Sequence, residues 1–198
     1  MELNAIELLS MNNPIRRWSM RRLEFPSYKA LLKKHEIDLS GKRILDIACG
    51  SGYSNKLLLH AFRPSLLVGF DLMLNQVNSA REQTVDAFLF QGDATQLALK
   101  PQSMDAAFGF GFLHHIVDWK SAVSQIATII RPGGLLILEE PSGSAAKFFR
   151  NTFRFAIPKE GEFNWTEFEA IFQDAGFKLL DSQKLFLECF RVYLFVKE

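Results

Sequence analysis

The sequence predicts a doubly wound α/β domain with a seven-stranded, mostly parallel sheet and one antiparallel strand near the C-terminus. Two observations carry this. Short aliphatic and β-branched runs alternate with helix-like stretches between residues 43 and 139, and the last two strand-like runs follow one another with no helix between them. Alternation calls for parallel pairing and right-handed crossovers. Near-continuous apolar strands suit burial on both faces. Two adjacent strands without a helix read as a hairpin, so one of them opposes the rest.

The elements follow in order. Residues 1–40 read as two short helices broken near Pro14 and Pro26, a lid appended to a single domain spanning 1–198. Arg43 to Ala48 is a first strand that stops at a glycine loop, and Tyr53 to Ala61 is a helix whose Leu57, Leu58 and Ala61 face a sheet. Leu66 to Asp71, Ala87 to Gln91, Met104 to Gly109 and Leu135 to Glu139 are the next strands, with helices over Leu74 to Gln83 and Lys120 to Ile130. Arg131-Pro132-Gly133-Gly134 stops the latter, because proline cannot continue a helix and glycine turns cheaply. Residues 142–165 form an insertion on the substrate side. Asn164 to Ala175 is a helix with Thr166 as its N-cap and Gly176 as its stop. The hairpin joins Phe177–Leu187 to Cys189–Val196.

Composition bounds the function. The chain has 198 residues, 48% apolar and 23% charged, which is one soluble domain with a sizeable core. A net charge of +1 selects for no nucleic acid. Two cysteines make no disulfide framework and suit a reducing compartment. No signal-peptide pattern opens the chain, and no run approaches the roughly 18 apolar residues of a membrane span. A cytoplasmic protein is expected.

The glycine loop Asp46-Ile47-Ala48-Cys49-Gly50-Ser51-Gly52 between a strand and a helix is a ligand-binding arrangement. Asp46, at the end of the first strand, would repel a pyrophosphate but suits a cationic ligand. Asp71 ends the second strand about twenty residues later, where a carboxylate accepts from ribose hydroxyls. Asp93 follows the third strand and suits an exocyclic amine. Three strand ends thus turn one carboxylate each toward one cleft.

These segments resemble the class I S-adenosylmethionine-dependent methyltransferases, in the branch that acts on small molecules. I-L-D-I-A-C-G-S-G is similar to that family's first motif, V-G-F-D to its second and Q-G-D-A to its third. M-D-A-A-F-G-F-G-F-L-H-H-I-V-D resembles the fourth-strand segment, and R-P-G-G-L-L-I-L the entry to the fifth. The resemblance implies a Rossmann-like fold, S-adenosylmethionine as cofactor and no metal. It places Asp46 with the Ala48, Cys49, Gly50 and Gly52 backbone at the methionine portion, and Asp71 at the ribose. Leu72 and Met73 would flank the adenine, Asp93 and Ala94 its edge, and Gly109 and Phe110 the methionine end. Ala48 stands where the family often has glycine.

Other residues keep two readings. His114 or His115 is a general base for a hydroxyl or amine acceptor, or orients substrate, or is structural; methyl transfer from a sulfonium needs alignment more than acid–base help. The basic stretch from Arg16 to Lys34 is a solvated face, or attracts an anionic acceptor or the surface of an anionic membrane without inserting. Trp18 and Tyr28 within it stack on an acceptor or pack the lid. Phe148, Phe149 and Phe153, among nineteen phenylalanines, line an apolar acceptor pocket or pack the insertion.

The expected activity is methyl transfer to an apolar or aromatic small molecule. A non-catalytic S-adenosylmethionine-binding protein and a methyltransferase acting on a macromolecule are the alternatives. A nicotinamide-dependent dehydrogenase leaves Asp46 and Gln91-Gly92-Asp93-Ala94 unexplained. An amide N-methyltransferase would carry Asn/Asp-Pro-Pro-aromatic where this chain has Gly109-Phe110-Gly111-Phe112.

Overall fold

The computed structural model describes residues 13–198; the part of the expected lid before Asn13 lies outside them. Helix α1 (Pro14–Ser19) runs through a π-helical turn (Met20–Glu24) into α2 (Phe25–Lys34). Pro14 sits in the first turn of α1, where the missing N–H loses no bond, and Pro26 follows directly on the π turn at the start of α2, so neither breaks the helical rod. Asn13 caps α1 by accepting from the Arg16 amide at 2.7 Å.

The sheet follows: β1 (Arg43–Ile47), β2 (Leu66–Asp71), β3 (Phe88–Gln91), β4 (Met104–Phe110), β5 (Ile130–Pro141), β6 (Phe177–Leu185) and β7 (Phe190–Lys197), in spatial order β3-β2-β1-β4-β5-β7-β6. Only β7 runs against its neighbours, pairing antiparallel with both β5 and β6. Between the strands lie α3 (Tyr53–Phe62), α4 (Leu74–Gln83), α5 (Trp119–Ile129), α6 (Gly143–Phe153) and α7 (Trp165–Asp174).

Alternation along the strands divides the core. Ile44, Leu67, Ala106, Ile137 and Leu194 face Phe25, Tyr28, Leu31, Leu32 and Leu58 on one side. Leu45, Val68, Ala107, Leu136 and Tyr193 face Trp119, Ile126, Phe168 and Phe172 on the other. The period of two along a pleated strand produces this division. The α2 half of the expected lid is therefore built into the core: Tyr28 is fully buried, and Leu31 and Leu32 nearly so.

Two boundaries differ from expectation. Strand β5 starts at Ile130, which pairs with Met104, and carries Arg131 to Gly134 within it. Helix α7 is capped by Asn164, whose side chain accepts from the Glu167 amide at 2.8 Å, and not by Thr166, which is its second residue. Below the sheet, Asp105 ties three strands together by accepting from the Arg43 amide at 2.7 Å and from Arg131 Nε at 2.7 Å.

Phe168 is the hub of the second face, with ring centroids of Phe172, Phe163 and Tyr193 at 4.7, 4.8 and 5.1 Å. Phe168→Ala is expected to lower the unfolding free energy by about 3–5 kcal/mol in urea titrations followed by fluorescence.

Candidate active site

Strand order reverses between β1 and β4, and a crevice opens beyond their carboxyl ends. It has two chambers, of 290 Å³ and 240 Å³, which share Ala48, Gln76, Phe110, Gly111 and His115 as a common wall.

The loop after β1 shapes both. Gly52 has φ +86° and caps α3, and a Cβ there would come within 2.9 Å of the Ala80 Cβ, so only glycine lets α3 and α4 approach this closely. Gly50 has φ +53° with nothing within 4 Å of a Cβ built on it, which leaves its backbone open. Ala48 also takes a left-handed conformation, φ +51°.

The larger chamber is lined by Asp71, Leu72, Met73, Asp93 and Ala94. Asp71 accepts from the Gly50 amide and from the Met73 amide, each at 2.9 Å, and so ties the loop to the end of β2. Each oxygen retains a lone pair for a further donor. Asp93 accepts from the Thr95 amide and hydroxyl at 2.8 Å.

Cys49, Gly50, Tyr53, Phe110, His114 and Glu139 line the smaller chamber. Asp46 lies beneath the loop, fully buried, and neither of its oxygens has a hydrogen-bond partner. Burial pushes its carboxyl up to about 7; the Ser54 hydroxyl, itself drawn to the Cys49 carbonyl at 3.5 Å, offsets part of this, and Asp71 adds to it. Burial, then Asp46 and Asp71, hold the Cys49 thiol well above its ordinary range, which suits a structural residue.

Three elements meet over this chamber. Glu140 accepts from the amides of Phe112, Leu113 and His114 at 2.9, 2.8 and 3.3 Å and engages His114 Nδ1 at 2.7 Å. A carboxylate there requires the ring to donate, so Nδ1 carries a proton. His115 stacks on His114 at 4.1 Å; burial, then His114, lower its pKa to about 3, so it stays neutral. From the N-terminal helix, Glu24 takes a bidentate pair of contacts from Arg16 at 2.5 and 2.7 Å and the Ser19 hydroxyl at 2.8 Å. Burial and then Glu24, to which it is hydrogen-bonded, hold Glu139 well above the ordinary carboxylate range, with Arg16 opposing. The remaining wall is apolar: Pro141, Phe149, Phe155, Ile157 and Phe190.

Several residues expected here lie elsewhere. Tyr28 donates to the Gly109 carbonyl at 2.6 Å and stacks on Phe110, entirely inside the core. Gly109 lies beneath the Phe112 ring, which a Cβ would strike at 2.4 Å, and is not part of either lining. Trp18, Phe148 and Phe153 are about half exposed and outside both chambers. Ser19, Glu24, Gln76, Glu139, Glu140, Ile157 and Phe190 were not anticipated. The two acids were detectable, because adjacent glutamates inside an apolar strand must find buried partners.

Comparison with known proteins places the geometry in context. The family described as a methyltransferase domain matches residues 45–138. A fatty-acid O-methyltransferase of Mycolicibacterium smegmatis is 31% identical over 52% of this chain, and the match spans only 38% of that protein's length. A demethylmenaquinone methyltransferase of Staphylococcus aureus is 26% identical over 78% of this chain and 77% of its own. An S-adenosylmethionine-dependent methyltransferase structure from Mesorhizobium loti superposes with a TM-score of 0.72 at 16% identity, covering 88% of this chain and 97% of that one.

Two outcomes follow for the loop. Ala48→Gly removes a left-handed alanine and is expected to stabilise the protein by about 0.5–1 kcal/mol, read as a rise in Tm of a few degrees. For Asp46 the folded-state pKa of about 7 lies above the unfolded value near 3.8. The protonated carboxyl therefore favours the fold below about pH 4, and that contribution is lost as pH rises to 7, at up to about 1.4 kcal/mol per pH unit. In denaturant titrations from pH 4.5 to 8, Asp46→Asn gains stability relative to the wild type as pH rises; a constant difference would contradict the assignment.

Proposed function

We propose that the chain is a class I S-adenosylmethionine-dependent methyltransferase, in keeping with the methyltransferase-domain match over residues 45–138, and that it methylates a small apolar acceptor held against Phe149, Phe155, Ile157 and Phe190, with His114 as the proton acceptor. One observation carries the proposal: the smaller chamber joins an apolar wall to a histidine whose tautomer Glu140 fixes.

The residues present fit the cofactor. The partnerless Asp46 carboxylate suits an ammonium group, which would supply the hydrogen bonds and the charge that it lacks. The open backbone at Gly50 accommodates the methionine portion. Asp71 is placed for ribose hydroxyls, Leu72 and Met73 for the adenine faces, and Asp93 with Ala94 for its edge. When bound, the cofactor supplies a methyl group on an activated sulfonium.

The chain's own contribution is alignment and proton removal. Ala48, Phe110 and Gly111 line both chambers, which supports an acceptor site beside the methionine end, and the apolar rings would exclude water and fix the acceptor's attitude. His114 Nε2 takes the proton of an O–H or acidic C–H group, and Glu140 stabilises the imidazolium. His115, neutral and stacked beside it, supports the ring. The acceptors named for the two relatives, a fatty acid and demethylmenaquinone, accord with an apolar chamber.

A panel of fatty acids, quinols, phenols, amines and polar metabolites, scored by S-adenosylhomocysteine release, is expected to show turnover with apolar members only. Turnover confined to highly polar acceptors overturns the proposal. On the best acceptor, His114→Ala should lower kcat by about 10²–10³-fold while S-adenosylhomocysteine still binds; an undiminished kcat removes His114 from the chemistry.

A further inference from the structure

Six phenylalanine rings run without a break from the smaller chamber to the surface. Phe149, Phe155 and Phe190 line the chamber. Phe149 contacts Phe148 at 6.0 Å and Phe153 at 6.2 Å, and Phe190 contacts Phe186 at 5.8 Å. At the outer end, Phe148, Phe186 and Leu187 are 56%, 50% and 99% exposed. The hairpin tip that carries Phe186 and Leu187 is fastened to the start of α6, which carries Phe148, by the Ser142 amide donating to the Cys189 carbonyl at 2.8 Å. Across the same chamber mouth, α1 and the π turn supply Arg16, Ser19 and Met20 to the lining, and Trp18 projects from the opposite face of the helix. Single exposed apolar residues are ordinary; this many around one opening mark a contact surface.

The surrounding charge selects the partner. The segment from Gly143 to Arg154 contains Lys147, Arg150 and Arg154 and no acid; Arg150 pairs with Glu162, and the one acid of the hairpin tip, Glu188, pairs with Lys184, which leaves Lys147 as the cation that charges this rim. On the other rim, Arg21 and Arg22 are exposed, while the only acid of that turn, Glu24, is buried against Arg16. A second copy docking face to face would set cations against cations. An anionic lipid surface meets both features, with aromatic and leucine side chains entering the headgroup boundary and cations at the phosphates. No helix among the described residues is long and apolar enough to cross a membrane.

We propose that this rim docks on an anionic lipid bilayer and that the acceptor passes from the bilayer along the phenylalanine series into the chamber, a deepening that rests on the apolar-acceptor reading above. The hairpin tip is the part that enters the lipid. Phe186, Leu187 and Glu188 are consecutive left-handed residues, with φ of +49°, +53° and +71°. They hold the apolar side chains outward in a conformation that asparagine tolerates.

The test uses sedimentation with vesicles of phosphatidylcholine alone or mixed with phosphatidylglycerol. The wild type should pellet with the anionic vesicles and be released by salt. Phe186→Asn/Leu187→Asn should weaken that binding about ten-fold or more, with S-adenosylhomocysteine binding and turnover of a water-soluble apolar acceptor unchanged. Lys147→Glu should weaken it as well. Failure to bind anionic vesicles, equal binding to neutral ones, or binding indifferent to the double substitution overturns the inference. So does light scattering that shows a dimer which the double substitution dissociates. A protein that turns over soluble apolar acceptors yet ignores vesicles loses this inference and keeps the functional proposal; one that binds vesicles but methylates only polar acceptors loses the functional proposal, and with it acceptor entry from the bilayer.

Discussion

Four N–H groups converge on the Glu140 carboxylate, and the working parts of the cleft depend on that convergence. Three are consecutive backbone amides of the turn after β4, and the fourth is His114 Nδ1. The turn has to leave the sheet at Phe110, and its amides are lost to the strand ladder there. A fully buried acid at the end of the neighbouring strand satisfies them together. Because β4 and β5 pair in fixed register up to Phe110 and Glu139, the acid is delivered to one place. Gly111, His114 and His115 then follow as one rigid unit between the two chambers.

The three buried carboxyls near this point meet the cost of burial in three different ways. Glu140 is saturated with donors. Burial and then Glu24 hold Glu139 well above the ordinary carboxylate range, and Glu24 carries the Arg16 contact. Asp46 has no donor on either oxygen, and burial pushes its carboxyl up to about 7. An acid left in that state is a standing demand for a cation that donates hydrogen bonds, and the demand lies directly under the loop with the open backbone. The electrostatics of the cleft therefore favour the positively charged end of the cofactor.

Most of the scaffold was legible in the sequence because its signals are local. Period-two apolar runs, glycine at loop ends and acids at strand ends each depend on a few neighbouring residues, and they located the sheet, the loop and Asp71. What the sequence hid depends on three-dimensional phase. Phe148 and Phe149 are adjacent, yet only Phe149 shares the buried side of α6 with Ala145 and Ala146. Tyr28 reads as an aromatic among charges and becomes core because α2 lies flat on the sheet. Arg16 and Glu24 are eight apart, a spacing with no meaning in a regular α-helix. Thr166 and Asn164 are both good caps by type, and only the helix start distinguishes them.

The π-helical turn from Met20 to Glu24 accounts for that eight-residue spacing and has a wider consequence. A π turn accommodates one residue more than the α-helix would. It therefore acts as a phase slip of about 100° between two halves of one rod. The C-terminal half is locked into the core by Tyr28, Leu31 and Leu32, while the N-terminal half is held by polar contacts, Arg16 donating to Glu24 and to the Phe110 carbonyl. Loss of a single residue within 21–23 would rotate Arg16, Ser19 and Met20 relative to α2 and so change which side chains line the smaller chamber. One codon's deletion could thus remodel that lining without altering any residue of the sheet.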